Sequence, residues 1–213
     1  MLKKKNIGSK IKVSEYSSIY LFMFVLFLIG VIFGAVIVNS MSFIQKQDLY
    51  FYLHQFFGQV QEGSLLHEQD LFQSSFFYHF KYILLIFILG LSIIGIPIIW
   101  IFIFMKGIVI GFSVGFLVNQ IGWFGLLMAS ASIAPQNIFV IPAYLIAGSF
   151  AMIFSLHLIR RLFVTKTYHQ PIRKHFVQYS SVFLVVLVIT LVASIVETFL
   201  SPHTMRLVVN WAF

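Results

Sequence analysis

Four long stretches without Asp, Glu, Lys or Arg constrain this chain more than any other feature. They run from Tyr16 to Gln45, from Tyr82 to Met105, from Ile108 to His157 and from His175 to Val196. About 20 apolar residues are enough for one helical crossing of a bilayer. The chain is 60% apolar and 9% charged, against about 45–50% and about 25% in soluble proteins. A core of this size cannot bury so much apolar surface, so lipid must cover part of it.

The apolar runs divide into five predicted spans and one shorter helix. The spans are Ile19–Val38, Tyr82–Met105, Gly107–Val118, Ile138–Leu156 and Tyr179–Thr198, and the half-helix is Leu126–Ala134. We expect an all-α, polytopic membrane helix bundle. Lys106 is assigned to a tight inner turn between spans two and three, because an ammonium inside the hydrocarbon costs about 2.5–3.5 kcal/mol. The alternative ends span two near Gly95–Pro97 and places Lys106 inside span three.

The basic residues predict the orientation. Eleven are assigned to the inner side, namely Lys3, Lys4, Lys5, Lys10, Lys12, Lys106, Arg160, Arg161, Lys166, Arg173 and Lys174, and three to the outer side, namely Lys46, Lys81 and Arg206. The positive-inside rule then gives a cytoplasmic N-terminus and an outer C-terminus. The predicted parts are a cytoplasmic segment (1–18), a membrane domain (19–200) with an outer loop (39–80) and a cytoplasmic loop (159–176), and an outer tail (201–213). The net charge of +8 is therefore an orientation signal, and we expect no nucleic-acid partner.

Glycines recur every four residues in two of the spans. Gly30 and Gly34 lie in span one, and Gly107, Gly111 and Gly115 lie in span three. This spacing places them on one helix face, where a neighbouring backbone can approach closely. We expect them to pack helices within the bundle or in a homo-oligomer; the alternative is the lining of a pore.

The outer loop is rich in aromatic residues. Leu49, Tyr52, Leu53, Phe56 and Phe57 follow helical spacing, so 47–57 is predicted to be an interfacial amphipathic helix. One interpretation is an aromatic belt that anchors the bundle at the headgroups. The other is a docking surface for an outer partner, for which the candidates are Tyr50, Tyr52, Phe56, Phe57, Phe72 and Phe76.

The sequence offers little for catalysis or for a cofactor. His67, Glu68, Asp70 and His79 match no metal-ligand signature, so no metal is expected. Glu197 is expected to cap the outer boundary of span five rather than to relay protons. The residues Pro135, Gln136, Asn137 and Pro142 predict a re-entrant segment, with an ordinary interhelical loop as the alternative. No cysteine is present, and we expect neither an enzyme nor a cofactor.

Three segments resemble the stage II sporulation protein M family of endospore-forming bacteria. They are LFLIGVIFGAVIVNSMSFIQKQDLYFYLHQFFGQV, GFSVGFLVNQIGWFG and APQNIFVIPAYLIAG. The resemblance implies a non-enzymatic scaffold in the mother-cell membrane, at the sporulation septum and during engulfment. Its implied partners are stage II sporulation proteins D and P, which cleave peptidoglycan. The wider superfamily often carries a histidine and a glutamate where this chain has Gln136 and Val140. A small multi-pass transporter or channel is the alternative function.

Overall fold

A computed structural model describes residues 16–62, 68–164 and 172–212 of the chain. Residues 1–15 of the predicted cytoplasmic segment (1–18), residues 165–171 of the predicted cytoplasmic loop (159–176) and the candidate ligand His67 lie outside these ranges. The helices are α1 (Ser17–Ser40), α2 (Phe43–Glu62), α3 (Glu68–Gly90), α4 (Gly95–Ile121), α5 (Trp123–Ser132), α6 (Ala134–Ile159) and α7 (Ile172–Ala212), and a π-helical turn (Arg160–Val164) follows α6. No strand occurs in the described ranges, so the all-α prediction is confirmed.

Five of the helices are long and apolar enough to cross a bilayer. The candidate spans are Ser17–Ser40, Asp70–Gly90, Gly95–Ile121, Ala134–Leu162 and Arg173–Met205. Five spans were predicted, and that number is confirmed. The core lies around α6, whose small residues Ala143, Ala147 and Ala151 are fully buried and let the neighbouring helices pack closely.

The predicted inner turn at Lys106 is wrong. The chain turns between Gly90 and Gly95 instead, and Lys106 lies near the middle of the 27-residue α4. Pro97 marks the start of this helix rather than a kink, because the first four N–H groups of a helix have no intrahelical acceptor and proline costs nothing there. The Ser155 hydroxyl of α6 fixes the turn by donating to the Ser92 carbonyl at 2.9 Å.

Two lysines that were assigned to loops therefore belong to candidate spans. Lys81 lies within Asp70–Gly90 and Lys106 within Gly95–Ile121. Without Lys81 and Lys106, ten basic residues remain assigned to the inner side and two to the outer side. The predicted cytoplasmic N-terminus and outer C-terminus keep their support.

A short helix separates the third and fourth spans. Gly122 lies between α4 and α5 and has a φ of 62°. This backbone conformation favours glycine because other residues are strained in it. A Cβ at Gly125 would overlap the Leu117 carbonyl, so α5 packs directly against the end of α4. The predicted half-helix 126–134 corresponds to α5. Pro135 lies in the first turn of α6 and Pro142 in its interior, so the predicted re-entrant segment 135–142 is the N-terminal part of a long helix.

Helices form much of the predicted outer loop and C-terminal tail. Helix α2 extends the predicted amphipathic helix 47–57 in both directions. Helix α7 continues through Pro202 to Ala212, so residues 201–212 of the predicted tail belong to the same helix as the fifth span. Thr204 of this extension donates to the Ala131 carbonyl at 2.8 Å, which connects it to α5.

The glycines of the first and third spans form the contact between α1 and α4. A Cβ at Gly30 would overlap the Phe104 carbonyl, and one at Gly34 the Ile108 carbonyl. On α4, a Cβ at Gly107 would overlap the Phe27 carbonyl of α1, and one at Gly111 would overlap the Val31 carbonyl. Gly115 is less tight, with its Cβ position 3.2 Å from the Ala35 Cα. All five glycines thus allow the two backbones to touch.

We predict that Gly111→Ala destabilises the protein by about 1–3 kcal/mol, the usual cost of forcing an extra group into a packed contact. Thermal unfolding in detergent micelles measures the effect. The matched control is Gly58→Ala in α2, whose added Cβ meets no atom within 4 Å. Equal unfolding midpoints for the two variants would contradict the close contact of α1 and α4.

Candidate functional site

A carboxylate on α7 binds side chains of two other helices inside the bundle. Ser75 of α3 donates to Glu197 Oε2. With the Gln136 side-chain amide oriented so that its nitrogen faces Glu197, this nitrogen donates to Oε1 at 2.8 Å. His79 Nε2 lies 3.6 Å from Oε2. Glu197 lies in the C-terminal part of the candidate span Arg173–Met205. It connects α3, α6 and α7 through side-chain contacts, whereas the sequence predicted a cap at the span's boundary.

His79 extends this network towards α6. Its side chain is buried, and Nδ1 lies 3.2 Å from the Tyr144 hydroxyl. A neutral imidazole has one donor and one acceptor nitrogen. With the Nε2 proton directed at Glu197, Nδ1 accepts from Tyr144. One histidine thereby joins the carboxylate of α7 to the phenol of α6.

Lys106 faces the same region from α4. Its Nζ lies 5.3 Å from the centroid of the Tyr78 ring and 5.0 Å from that of Tyr144. Within the described ranges no carboxylate approaches Nζ to 4.0 Å, since the ion pair found there joins His79 and Glu197. Cation–π contacts contribute about 0.5–2 kcal/mol each, which offsets part of the cost of about 2.5–3.5 kcal/mol for a charge in this position.

All of these polar side chains except Tyr144 line a cavity of about 410 Å³ between α3, α4, α6 and α7. We call it the polar cavity. An adjoining apolar cavity of about 530 Å³ lies under α2, with Leu49, Leu53, Phe116 and Met205 in its wall. Leu71, Ser113, Ile133, Gln136 and Glu197 line both. Each volume is within the range of small-molecule sites in proteins, about 300–1,000 Å³.

The predicted docking residues lie on different surfaces. Tyr52 is 66% exposed, whereas Tyr50, Phe72 and Phe76 are half-buried. Phe72 and Phe76 stack with their centroids 6.1 Å apart. The side chains of Phe56 and Phe57 lie outside the described part of the structure.

Of the other candidate residues, Gln136 belongs to the polar cavity. Asn137 also lines this cavity. Its side-chain amide donates to the backbone carbonyl of Ile133, one helical turn earlier, at 2.7 Å. Val140 is buried in the core. Of the residues considered for a metal, Asp70 is exposed, and no cluster of three or more metal-ligating side chains occurs among the described residues.

Sequence reasoning missed the polar cavity. Ser75, Tyr144 and Lys106 were not grouped with Glu197, and Ser75 is 122 positions away from it in sequence. The one available signal was Lys106 itself, because an ionisable residue within an apolar run indicates a functional site when it belongs to a span.

The fold and the cavities define a polytopic, all-α membrane protein with a polar site inside its helix bundle. The family model for "Stage II sporulation protein M" matches residues 23–202. The chain therefore belongs to the stage II sporulation protein M family and is a sporulation-related membrane protein. No curated protein and no solved structure gives a significant match.

We predict that Gln136→Ala and Glu197→Ala are coupled in a double-mutant cycle. Hydrogen bonds between membrane helices couple by about 0.6 kcal/mol on average and by about 1.7 kcal/mol at most, so we expect a value in this range. Reversible unfolding in mixed micelles measures it. The control cycle pairs Glu197→Ala with Gln120→Ala, whose side chain bonds to Asn119 and should be additive within about 0.5 kcal/mol. Additivity in both cycles would contradict the Gln136–Glu197 bond.

Proposed function

We propose that this protein is a non-enzymatic membrane scaffold that recruits or localises peptidoglycan-degrading enzymes during engulfment. The proposed partners are stage II sporulation proteins D and P, and the proposed location is the mother-cell membrane at the septum and the engulfing membrane. Membership of the stage II sporulation protein M family is the observation that supports this proposal most. It combines with a partner-accessible aromatic surface on α2.

The outer surface of α2 offers a place for such partners. Phe43, Ile44, Phe51 and Tyr52 are all exposed there, the last two at 65% and 66%. Leu53 of the same helix packs against the bundle beside Leu117 and Met205. Aromatic residues are enriched at binding hot spots, and exposed apolar patches commonly mark contacts with proteins or membranes. A helix held to the bundle by one face can present the other to a partner.

The contacts of the polar cavity favour a structural role over a hydrolytic one. Ser75 donates to the Glu197 carboxylate rather than to His79, so the serine–histidine hydrogen bond of a Ser–His–Asp triad is not formed. His79 in turn is engaged by Glu197 and Tyr144. We therefore propose that these groups hold helices together and contribute no bond-breaking step.

A small transporter or channel is the second candidate. It is favoured by one observation, the location of Lys106 and Glu197 in the wall of a cavity inside candidate spans, since intramembrane ionisable residues often mark solute or ion pathways. Ion or solute flux into liposomes that contain only this protein would support it.

We predict that the double variant Phe51→Ala, Tyr52→Ala lowers co-purification of proteins D and P at least about tenfold, because truncating an aromatic hot spot costs about 2 kcal/mol or more. Quantitative pull-down from sporulating cells measures the capture. The control is Phe24→Ala, Ile29→Ala, which removes two exposed side chains of α1. If both double variants capture the enzymes as the unmodified protein does, α2 is not the docking surface.

A further inference from the structure

The two adjoining cavities differ in chemical character. The polar cavity contains an ammonium, a carboxylate and an imidazole. The apolar cavity shares Glu197 and Gln136 at the junction, but most of its wall surface is hydrocarbon, including that of Leu49, Phe116 and Met205. A ligand that filled both would need a polar end and a hydrocarbon end. That requirement selects amphiphiles, which the surrounding bilayer supplies.

Of the two charged groups in the polar cavity, the cation has the free hydrogen-bonding capacity. An ammonium has three donors, and Lys106 makes ring contacts with Tyr78 and Tyr144 but meets no carboxylate within 4.0 Å in the described ranges. Glu197 already has Ser75, Gln136 and His79 around its two oxygens. The charge that still lacks a hydrogen-bond partner is therefore positive, and a phosphate or a carboxylate suits it.

Both cavities have rims that a ligand can reach from the outside of the bundle. Tyr78 of α3 and Val109 of α4 line the polar cavity and are 46% and 49% exposed. Tyr52 of α2 lines the apolar cavity and is also exposed. A molecule dissolved in the bilayer can therefore pass between α3 and α4, or under α2, without separation of the glycine contact between α1 and α4.

We propose that the two cavities together bind one anionic amphiphile from the bilayer. Its phosphate or carboxylate contacts the ammonium of Lys106, and its hydrocarbon occupies the apolar cavity beside Leu49 and Phe116. This binding site shares Tyr52 with the docking surface proposed on α2, but Lys106 and Leu49, which its tests change, are not part of that surface. The phosphate or carboxylate of the bound ligand supplies the hydrogen-bond acceptor that Lys106 lacks among the side chains around it.

Native mass spectrometry of the full chain in detergent tests the proposal. The probes are phosphatidylglycerol, phosphatidylcholine with the same acyl chains, oleate and inorganic phosphate. We expect one phosphatidylglycerol or one oleate per chain, and at least tenfold weaker binding of phosphatidylcholine and of inorganic phosphate. Equal affinity for phosphatidylglycerol and phosphatidylcholine would overturn the anion site. Equal affinity for phosphatidylglycerol and inorganic phosphate would overturn the role of the apolar cavity.

Variants in the two cavities distinguish the contribution of the ligand's anionic head group from that of its hydrocarbon chain. Lys106→Met should weaken phosphatidylglycerol binding at least tenfold, whereas Lys106→Arg should keep it within about threefold because the charge remains. Lys81→Met, at an exposed lysine outside both cavities, is the matched control and should bind like the unmodified protein. Leu49→Trp should weaken lipid binding by filling the apolar cavity while Lys106 stays in place. Unchanged binding by Lys106→Met or by Leu49→Trp would overturn the proposal.

Discussion

The polar interior of this bundle depends on the contacts that the Glu197 carboxylate makes with other side chains. A charged group inside a membrane protein is tolerated only where other protein groups replace water. Ser75 and His79 of α3 and Gln136 of α6 are those groups. These groups come from two helices and the carboxylate from a third. Their contacts with Glu197 therefore fix α3, α6 and α7 relative to one another, with a cavity between them.

The fourth helix of this cavity is positioned by a different kind of contact. Helix α4 touches α1 through glycines, where van der Waals packing of the backbones replaces hydrogen bonds. With α4 held in this way, Lys106 points towards Tyr78 and Tyr144. The bundle thus combines an apolar half, where backbones touch, with a polar half, where side chains bridge between helices. Helix α2 packs on this bundle through Leu53, beside Leu117 and Met205.

Hydropathy was enough to predict five spans and the all-α fold, because each span satisfies its own backbone hydrogen bonds. The sequence predicts the turn between the second and third spans at Lys106–Gly107 and a bend at Gly95–Pro97, whereas the chain turns between Gly90 and Gly95. Proline at position 97 is equally suited to the first turn of a helix, and the cost of Lys106 is reduced by aromatic rings that sequence does not reveal. The polar cavity could not be predicted at all, since its members meet only through tertiary packing: His79 and Tyr144, for example, are 65 residues apart.

Membrane-impermeant thiol labelling tests most directly whether the polar cavity lies inside the bilayer. The chain has no cysteine, so Ile94→Cys and Met105→Cys each introduce a unique thiol at an exposed position, 75% and 47% exposed in the two native side chains. The turn at Gly90–Gly95 predicts that Ile94→Cys reacts from the cytoplasmic side, and that Met105→Cys, next to Lys106, reacts from neither side. Cytoplasmic labelling of Met105→Cys together with protection of Ile94→Cys would contradict the account.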